Sequence, residues 1–226
     1  MLVAVLGALY LIGARVAPTR MSGWARRLSR AGLRAFGIRL AVHDHGGRRP
    51  GRPHVYVSNH VNLLDPFVFA AAIADPLKAI EVAPHFSWWG WGTVVRQAGL
   101  IPIDYTTMGG IARALLQARR ELRAGTSIVF LPEGTRTTDG RMNPFRPGPF
   151  LLAQKASVDL VPMVQVGAFA VHNKVTARMR PGPVTLALLT PERHEAMAEE
   201  TPEAIATRVR ARMEAAIAAL DRGEQP

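Results

Sequence analysis

Short apolar runs alternate with polar, glycine- and proline-containing segments from residue 54 to the end of the chain. Short runs rich in β-branched residues predict strands, and longer runs with a helical spacing of apolar positions predict helices. The predicted strands are 55–58, 77–82, 100–103, 127–131 and 160–166, followed by a closing hairpin of 175–180 and 184–189. The predicted helices are 66–74, 86–98, 110–124, 150–156 and 202–220. This alternation predicts an α/β fold with a mostly parallel central sheet flanked by helices.

The first 40 residues have a different pattern, an apolar run followed by a basic amphipathic segment. Residues 1–14 carry no charged side chain, but a spanning helix needs roughly 20 apolar residues. The arginines follow this run, whereas a secretory signal carries its positive charges before the apolar part. Over 22–40, apolar and basic side chains separate onto different helix faces, as the i, i+4 pair Arg26 and Arg30 shows. Such a helix suits the surface of an anionic bilayer.

We therefore predict two parts in the chain. Membrane-anchoring and basic amphipathic helices occupy 1–40 as an N-terminal membrane-associating extension, and the catalytic domain occupies 41–226, starting with a turn-rich connector at 42–53. The alternative is that the apolar run packs on the domain core and the second helix has an ordinary solvated basic face.

Charge and composition narrow the possible partners. The net charge is +11, and the first 52 residues hold ten arginines against one acid, Asp44, which is a net charge of +9. A basic extension on a nearly neutral domain predicts an anionic partner, either a membrane or a nucleic acid. Because the charge adjoins an apolar run rather than aromatics exposed on a sheet, we predict a membrane and no nucleic acid. Cysteine is absent, which excludes disulfides, thiolate metal sites and a thiol nucleophile.

The first candidate for chemistry is the pair His60 and Asp65, just after the predicted strand 55–58. Asp65 followed by Pro66 is typical of a helix start, with Asp65 as the N-cap. His60 then lies on the turn at the carboxyl end of a strand, which allows a contact that residues i and i+5 of one helix cannot make. A histidine with a carboxylate in reach is suited to general base catalysis. The alternative is an Asp65 that only caps the helix and a His60 without a role.

The second candidate is the segment from Glu133 to Arg136, which follows Pro132 after the strand 127–131. Arg136 offers a bidentate fork for phosphate, and Gly134 permits close approach of a ligand to the backbone. An anionic, hydroxyl-bearing ligand fits these side chains. The alternative is a polar loop closed by an ion pair between Glu133 and Arg136.

Together the two segments resemble the glycerolipid acyltransferases, the lysophosphatidate (1-acylglycerol-3-phosphate) acyltransferase family. The resemblance rests first on Asn59-His60 with Asp65, and then on Pro132-Glu133-Gly134-Thr135-Arg136. Residues 99–104 resemble the second motif of that family, and residues 160–163 resemble its fourth. Each motif alone is weak, but four in order over 55–166 make the resemblance specific.

The resemblance implies direct acyl transfer in phospholipid biosynthesis, without an acyl-enzyme. His60, assisted by Asp65, deprotonates a lysolipid hydroxyl that attacks the thioester of acyl-CoA or acyl carrier protein. The polar head of the acceptor is bound by Glu133, Gly134, Thr135 and Arg136. The implied partners are membrane lipid and the acyl donor, at the cytoplasmic face of the inner or plasma membrane. No metal and no cofactor besides this co-substrate is expected.

Two positions depart from the family pattern. Tyr105 follows Asp104, where the family usually has an arginine that contributes to binding the acceptor phosphate. Asn62 stands where serine is frequent. The first departure leaves a different lysolipid or an aminolipid open as the acceptor, and it leaves Arg136 or an N-terminal arginine as the replacement.

Other interpretations remain open at this point. Ser58 and His60 share one side of a strand, which allows a thioester or lipid hydrolase, although no Gly-x-Ser-x-Gly elbow surrounds Ser58. A basic module that binds anionic lipid or nucleic acid is the non-enzymatic alternative. Trp88, Trp89 and Trp91 suit an acyl channel or a bilayer contact, and plain core packing accounts for them at least as well.

Overall fold

The structure, a computed structural model, describes residues 21–224, so the predicted apolar anchor lies outside the described residues. The helices are α1 Met21–Ala35, α2 Asp65–Ala72, α3 Trp91–Gln97, α4 Met108–Arg123, α5 Gly148–Ala156, α6 Ala168–Val171, α7 His194–Met197 and α8 Pro202–Asp221. A 3-10 helix spans Ala83–Ser87. The strands are β1 Ile38–Asp44, β2 Val55–Ser58, β3 Leu77–Val82, β4 Ile101–Ile103, β5 Ser127–Phe130, β6 Leu160–Val166 and β7 Gly182–Leu188.

The strands form one sheet in the order β1-β7-β6-β2-β5-β3-β4. All neighbouring strands are parallel except β6 and β7, which are antiparallel. The central strands β2, β5 and β6 are almost wholly buried, as expected for a parallel sheet with helices on both faces. The predicted α/β fold with a mostly parallel sheet is confirmed.

A separate apolar core covers each face of the sheet. Helices α4, α5 and α8 contribute to one core, which includes the buried side chains of Phe150 and Met213. Helices α1 and α2 contribute to the other, which includes Leu33 and Phe69. Burying a side chain of this size contributes about 1.5–3 kcal/mol. The two layers together hold the strand ends, and the loops that leave them, in place.

The helix predicted over 22–40 is wrong in its last five residues, because α1 ends at Ala35 and β1 begins at Ile38. Gly37 between them has a φ of +70°, and a Cβ on it would lie 2.8 Å from Pro181 Cβ. Only glycine fits this reversal. Strand β1 then pairs in parallel with β7, so the start of the predicted connector 42–53 is strand as well.

The predicted hairpin 175–180 with 184–189 is also wrong. Asn173 Oδ1 accepts hydrogen bonds from the backbone N–H groups of Val175 and Thr176, which folds the first arm into a turn. Strand β7 instead lies between β6 and β1. The helix predicted over 86–98 is shorter than expected and starts at Trp91, since the residue before it, Gly90, has a φ of +74°.

Helix α1 directs part of its apolar side to the domain. Leu33 is buried against the core of α2, and Arg30 Nε donates a hydrogen bond to Ala71 O at 2.9 Å. Between residues 21 and 224, no helix combines the length and apolarity needed to cross a bilayer. The division of the chain at residue 40 stays a prediction.

The topology brings several loops together at one edge of the sheet. Strands β2 to β6 run in the same direction and end at this edge, which we call the carboxyl edge. Strands β1 and β7 run the opposite way, so the segment between β6 and β7 lies at the carboxyl edge too. The loops after β2, β4 and β5 carry His60, Tyr105 and Glu133, respectively. The fold therefore places the two predicted segments side by side.

Candidate active site

His60 and Asp65 are in direct contact, with 2.8 Å between His60 Nδ1 and Asp65 Oδ2. The Asp65 side chain is fully buried, whereas 21% of the His60 side chain is exposed. A carboxylate only accepts hydrogen bonds, so Nδ1 carries the proton and Nε2 keeps its lone pair. Nε2 forms no hydrogen bond with any residue of 21–224. A partly exposed base with a fixed tautomer results.

The Asp65 carboxylate also holds the turn between the strand and the helix. Oδ2 accepts a hydrogen bond from Val61 N at 2.9 Å, and Oδ1 accepts one from Asn62 N at 3.1 Å. The prediction that Asp65 is the N-cap is wrong by one residue, because Leu64 is the N-cap and Asp65 is the first helical residue. The carboxylate points back into the turn, where three donors compensate for its burial.

Glu133 positions the backbone of His60. Its Oε1 accepts a hydrogen bond from His60 N at 2.7 Å, and its Oε2 accepts two from Asn143, from N at 2.7 Å and from Nδ2 at 2.9 Å. Burial raises the pKa of Glu133, and the hydrogen bonds from His60 and Asn143 oppose the rise. With both oxygens engaged and the side chain buried, Glu133 supports the base rather than facing a ligand.

The loop after β5 holds the His60 peptide from its other side as well. Thr137 N donates a hydrogen bond to His60 O at 2.9 Å. Arg136, one residue earlier, is half-buried and forms no ion pair with Glu133 or with any other described residue, so the alternative of an internal ion pair does not apply. The pKa of the buried His172 is lowered, mainly by burial and further by the charge of Arg136. The Arg136 guanidinium thus lies near the site with its donors available.

Gly134 and Thr135 lie between two further cations. Gly134 has a φ of +71°, and a Cβ on it would lie 2.6 Å from Arg146 Nε, so a larger residue does not fit. Thr135 is exposed, and its Oγ1 accepts a hydrogen bond from Lys174 Nζ at 3.3 Å. The segment predicted to bind an anionic head group is therefore surrounded by positive charge.

Sequence reasoning missed four residues of this arrangement. Thr137 and Asn143 hold the His60 turn through backbone groups and through Glu133, and Arg146 and Lys174 add positive charge. Arg146 and Lys174 lie in loops that no local pattern marks as functional. Asn143 Nδ2 contacts Glu133 from ten positions along the chain, a separation that carries no periodic signal.

The residues between the strand and His60 have structural roles. Asn59 clamps β2 to β6, since its Nδ2 donates to Gln165 O at 3.0 Å and its Oδ1 accepts from Gln165 N at 2.8 Å. Asn62, where the family often has serine, donates from Nδ2 to Ala168 O at 2.7 Å. Ser58 is fully buried and hydrogen-bonds to Asn59 Oδ1, not to His60. This geometry argues against a Ser58 nucleophile.

A largely apolar cavity of about 470 Å³ lies beside the site, within the size range of small-molecule pockets. Helices α1, α2 and α3 line it together with β3. Pro66, next to Asp65, and Leu131, next to Pro132, belong to its lining, so the cavity reaches the residues that adjoin both predicted segments. Its apolar lining includes Leu28, Phe69, Val94 and Val95.

Residues that could bind a metal lie elsewhere. Within residues 21–224, the ligand atoms of Asp159, His194 and Glu195 lie close enough to share an ion. Asp159 precedes β6 at the edge opposite to His60, and it already pairs with Arg193 Nη1 at 2.6 Å. The base and its supporting residues do not take part in this group.

The sequence is similar both to a protein-family model and to individual known proteins. Residues 39–166 match the family model described as Acyltransferase. The chain is 30% identical over 178 residues to 1-acyl-sn-glycerol-3-phosphate acyltransferase alpha of Homo sapiens, which covers 77% of this chain and 62% of that protein. It is 31% identical over 159 residues to 1-acyl-sn-glycerol-3-phosphate acyltransferase of Limnanthes douglasii, which covers 69% of this chain and 55% of that protein.

The fold is similar to the crystal structure of PlsC, the 1-acyl-sn-glycerophosphate acyltransferase from Thermotoga maritima. The TM-score is 0.77 at 18% identity, with 96% of this chain and 95% of that chain covered, a likeness that shows the fold alone. The chain spans 55–62% of the length of the two curated relatives above. The family match over 39–166 takes in more than half of the chain and includes both predicted segments. The chain belongs to the Acyltransferase family.

Proposed function

We propose that the protein transfers an acyl group from a thioester to the hydroxyl of a lysophospholipid of the lysophosphatidate type, in phospholipid biosynthesis. The observation that carries the proposal is the His60 imidazole, whose Nδ1 is fixed by the buried Asp65 and whose Nε2 is free of hydrogen bonds to described residues. The relatives named for 1-acyl-sn-glycerol-3-phosphate support this acceptor class. Arg136, without an ion pair in the described residues, suits its phosphate.

The proposed reaction has two proton transfers and one acyl transfer. His60 Nε2 takes the proton of the acceptor hydroxyl while the hydroxyl oxygen attacks the thioester carbonyl carbon. Asp65 stabilises the imidazolium that forms, because its carboxylate accepts the Nδ1 hydrogen bond at 2.8 Å. The carbon–sulfur bond then breaks, and the leaving thiolate receives the proton from His60. The products are an ester and a thiol, and no bond to the protein forms.

We extend the proposal to the acyl donor and to the binding site of its acyl chain. Acyl-CoA and acyl carrier protein present the same thioester, so both are proposed donors, and no other cofactor takes part. We propose that the apolar cavity lined by Pro66 and Leu131 accommodates the acyl chain, since its lining offers apolar contacts next in sequence to Asp65 and Pro132. Phe69 and Leu28 form part of that lining.

Acyl transfer by the wild-type protein is the first expected result. Purified protein is mixed with lysophosphatidate in phospholipid vesicles and with labelled palmitoyl-CoA or palmitoyl-acyl carrier protein. We expect labelled phosphatidate and free thiol to form in equal amounts, because the acyl group passes directly to the acceptor. Thiol release that does not depend on an acceptor would instead indicate a hydrolase. Activity only with a lyso-aminolipid would restrict the proposal to that acceptor.

We also propose that the carboxyl edge binds an anionic membrane peripherally. Large apolar side chains are exposed in the loops of this edge: Leu63, Trp88, Trp89, which is fully exposed, and Val175. Residues 167–181, also at this edge, contain three Lys and Arg residues and no acid. Aromatic side chains and cations of this kind favour the head-group region of anionic bilayers. Because the thioester donors are cytoplasmic, we place this contact at the cytoplasmic face.

Replacing Trp88 and Trp89 together by alanine is expected to weaken binding to vesicles about tenfold. Burying an aromatic side chain contributes about 1.5–3 kcal/mol, and a tenfold change corresponds to about 1.4 kcal/mol. Co-sedimentation with vesicles of phosphatidylcholine and phosphatidylglycerol measures the effect. Leu116→Ala is the matched control, since Leu116 is exposed on α4 away from this edge. Equal sedimentation of the double variant and the wild type would contradict the proposed membrane contact.

A further inference from the structure

Arg146 lies over the ring of Tyr105, with 4.5 Å between its Cζ and the ring centroid. This distance is that of a cation–π contact. Tyr105 is half-buried after β4, and Arg146 is exposed on the loop between β5 and α5. The fold thus brings a guanidinium from another loop to the ring of Tyr105. At position 105 itself, the family resemblance leads one to expect an arginine.

The same guanidinium lies against the loop that holds the catalytic base. Arg146 Nε is 2.6 Å from the place where a Cβ of Gly134 would be, and Arg146 N donates a hydrogen bond to Pro132 O at 2.9 Å. Glu133, which lies between Pro132 and Gly134 in the sequence, accepts the hydrogen bond from His60 N. Arg146 is therefore anchored directly beside the residues that position His60.

Arg146 has no carboxylate partner among residues 21–224, and its side chain forms no hydrogen bond there. Several other arginines are paired with carboxylates, as Arg193 is with Asp159 at 2.6 Å and Arg212 with Glu192 at 2.8 Å. The guanidinium of Arg146 keeps its donors for another group. Arg136, which forms no ion pair with any residue of 21–224, lies in the same loop between β5 and α5. Two planar forks of donors in one loop suit the oxygens of a phosphate.

We propose that Arg146 binds the phosphate of the acceptor lipid, together with Arg136, and that Tyr105 positions the Arg146 guanidinium. The proposal rests on the proposed function, because it needs an acceptor with a phosphate. Tyr105 then retains phosphate binding in spite of the missing arginine, since its ring supports an arginine from another loop. An arginine at position 105 would place a second positive charge against Arg146.

Arg146→Gln is expected to raise the KM for lysophosphatidate about tenfold or more and to change kcat less than about twofold. A contact made equally in the ground state and the transition state has this effect. The KM for a monoacylglycerol with the same acyl chain, which lacks the phosphate, is expected to stay at the wild-type value. Arg141→Gln is the matched control, because Arg141 is exposed in the same loop and forms no ion pair with the residues that the structure describes.

Substitutions of Tyr105 test the positioning role separately. Tyr105→Phe keeps the ring and is expected to keep the wild-type KM, whereas Tyr105→Leu removes the ring and is expected to raise KM with kcat unchanged. A merely structural role of Tyr105 would lower kcat and thermal stability without this selective change in KM. An unchanged KM for lysophosphatidate in both Arg146→Gln and Tyr105→Leu would overturn the proposal.

Binding of lysophosphatidate to the wild type and to Arg146→Gln, measured by calorimetry without an acyl donor, separates this proposal from the proposed function. Weaker binding to Arg146→Gln supports the phosphate site even where no acyl transfer occurs, in which case only the proposed function fails. Transfer by the wild type with equal binding to both proteins refutes the phosphate site alone. Absence of binding to the wild type refutes both.

Discussion

Replacing His60 by alanine is expected to lower the rate of acyl transfer by about 10²–10⁴-fold, the usual contribution of a general base. The imidazole is the partly exposed member of a pair whose carboxylate is fully buried, and Nε2 is the atom free to take a proton. We expect the KM values for donor and acceptor to change little, because the base acts mainly in the transition state. Initial rates with labelled acyl-CoA measure the effect.

The fold of the His60→Ala variant is expected to remain intact, since the hydrogen bonds of the His60 peptide to Glu133 and Thr137 involve only its backbone. Circular dichroism and thermal unfolding check this. His43→Ala is the matched control, because the His43 side chain is exposed on β1 and forms no hydrogen bond or ion pair with the described residues. Acyl transfer at the wild-type rate by His60→Ala would remove the proposed mechanism.

Asp65→Asn is expected to impair both catalysis and stability. An amide presents one oxygen and one NH₂ group to three donors, His60 Nδ1, Val61 N and Asn62 N. An NH₂ group facing His60 would move the imidazole proton to Nε2 and remove the base, with a loss of about 10²–10⁴-fold in rate. An NH₂ group facing Asn62 instead leaves a buried N–H unsatisfied, at a cost of about 1–3 kcal/mol.

Rates and chemical denaturation together measure this prediction. Asp221→Asn serves as the control, because Asp221 is exposed at the end of α8 and neither property should change. The double variant with His60→Ala is expected to be no slower than His60→Ala alone, since the two side chains act as one unit. An additive loss of rate would mean that Asp65 acts independently of His60.

The amino-acid sequence alone determined the elements whose signal is local. Strands Val55–Ser58, Leu77–Val82 and Leu160–Val166 have the predicted bounds. A short apolar or β-branched run between polar segments identifies a strand, whatever its neighbours are. Helix α8 likewise begins after Thr201 as predicted, because Thr201 Oγ1 accepts a hydrogen bond from Ala204 N.

Local pattern failed where strand pairing decides the structure. Strand β1 is mostly exposed and exists through its pairing with β7, more than 130 residues away. Its apolar residues Ile38, Leu40 and Val42 alternate as in a strand, but the basic residues before it favoured an extended amphipathic helix. Because β7 pairs with β1 and β6 on its two sides, residues 175–180 do not form the first arm of a hairpin with it.

In the candidate site too, the contact between residues close in sequence was predicted, and the contacts between distant loops were not. The contact between His60 and Asp65 closes within one turn, so the spacing and the predicted helix start pointed to it. Sequence also predicted the position of the second segment after β5, but not what its residues touch. The contacts of Glu133 with His60 and of Arg146 with Tyr105 join loops that meet only because β2, β5, β3 and β4 are neighbours in the sheet. Sequence thus predicted the pair of His60 and Asp65, whereas the strand order decided which groups hold the His60 turn and which cation lies at position 105.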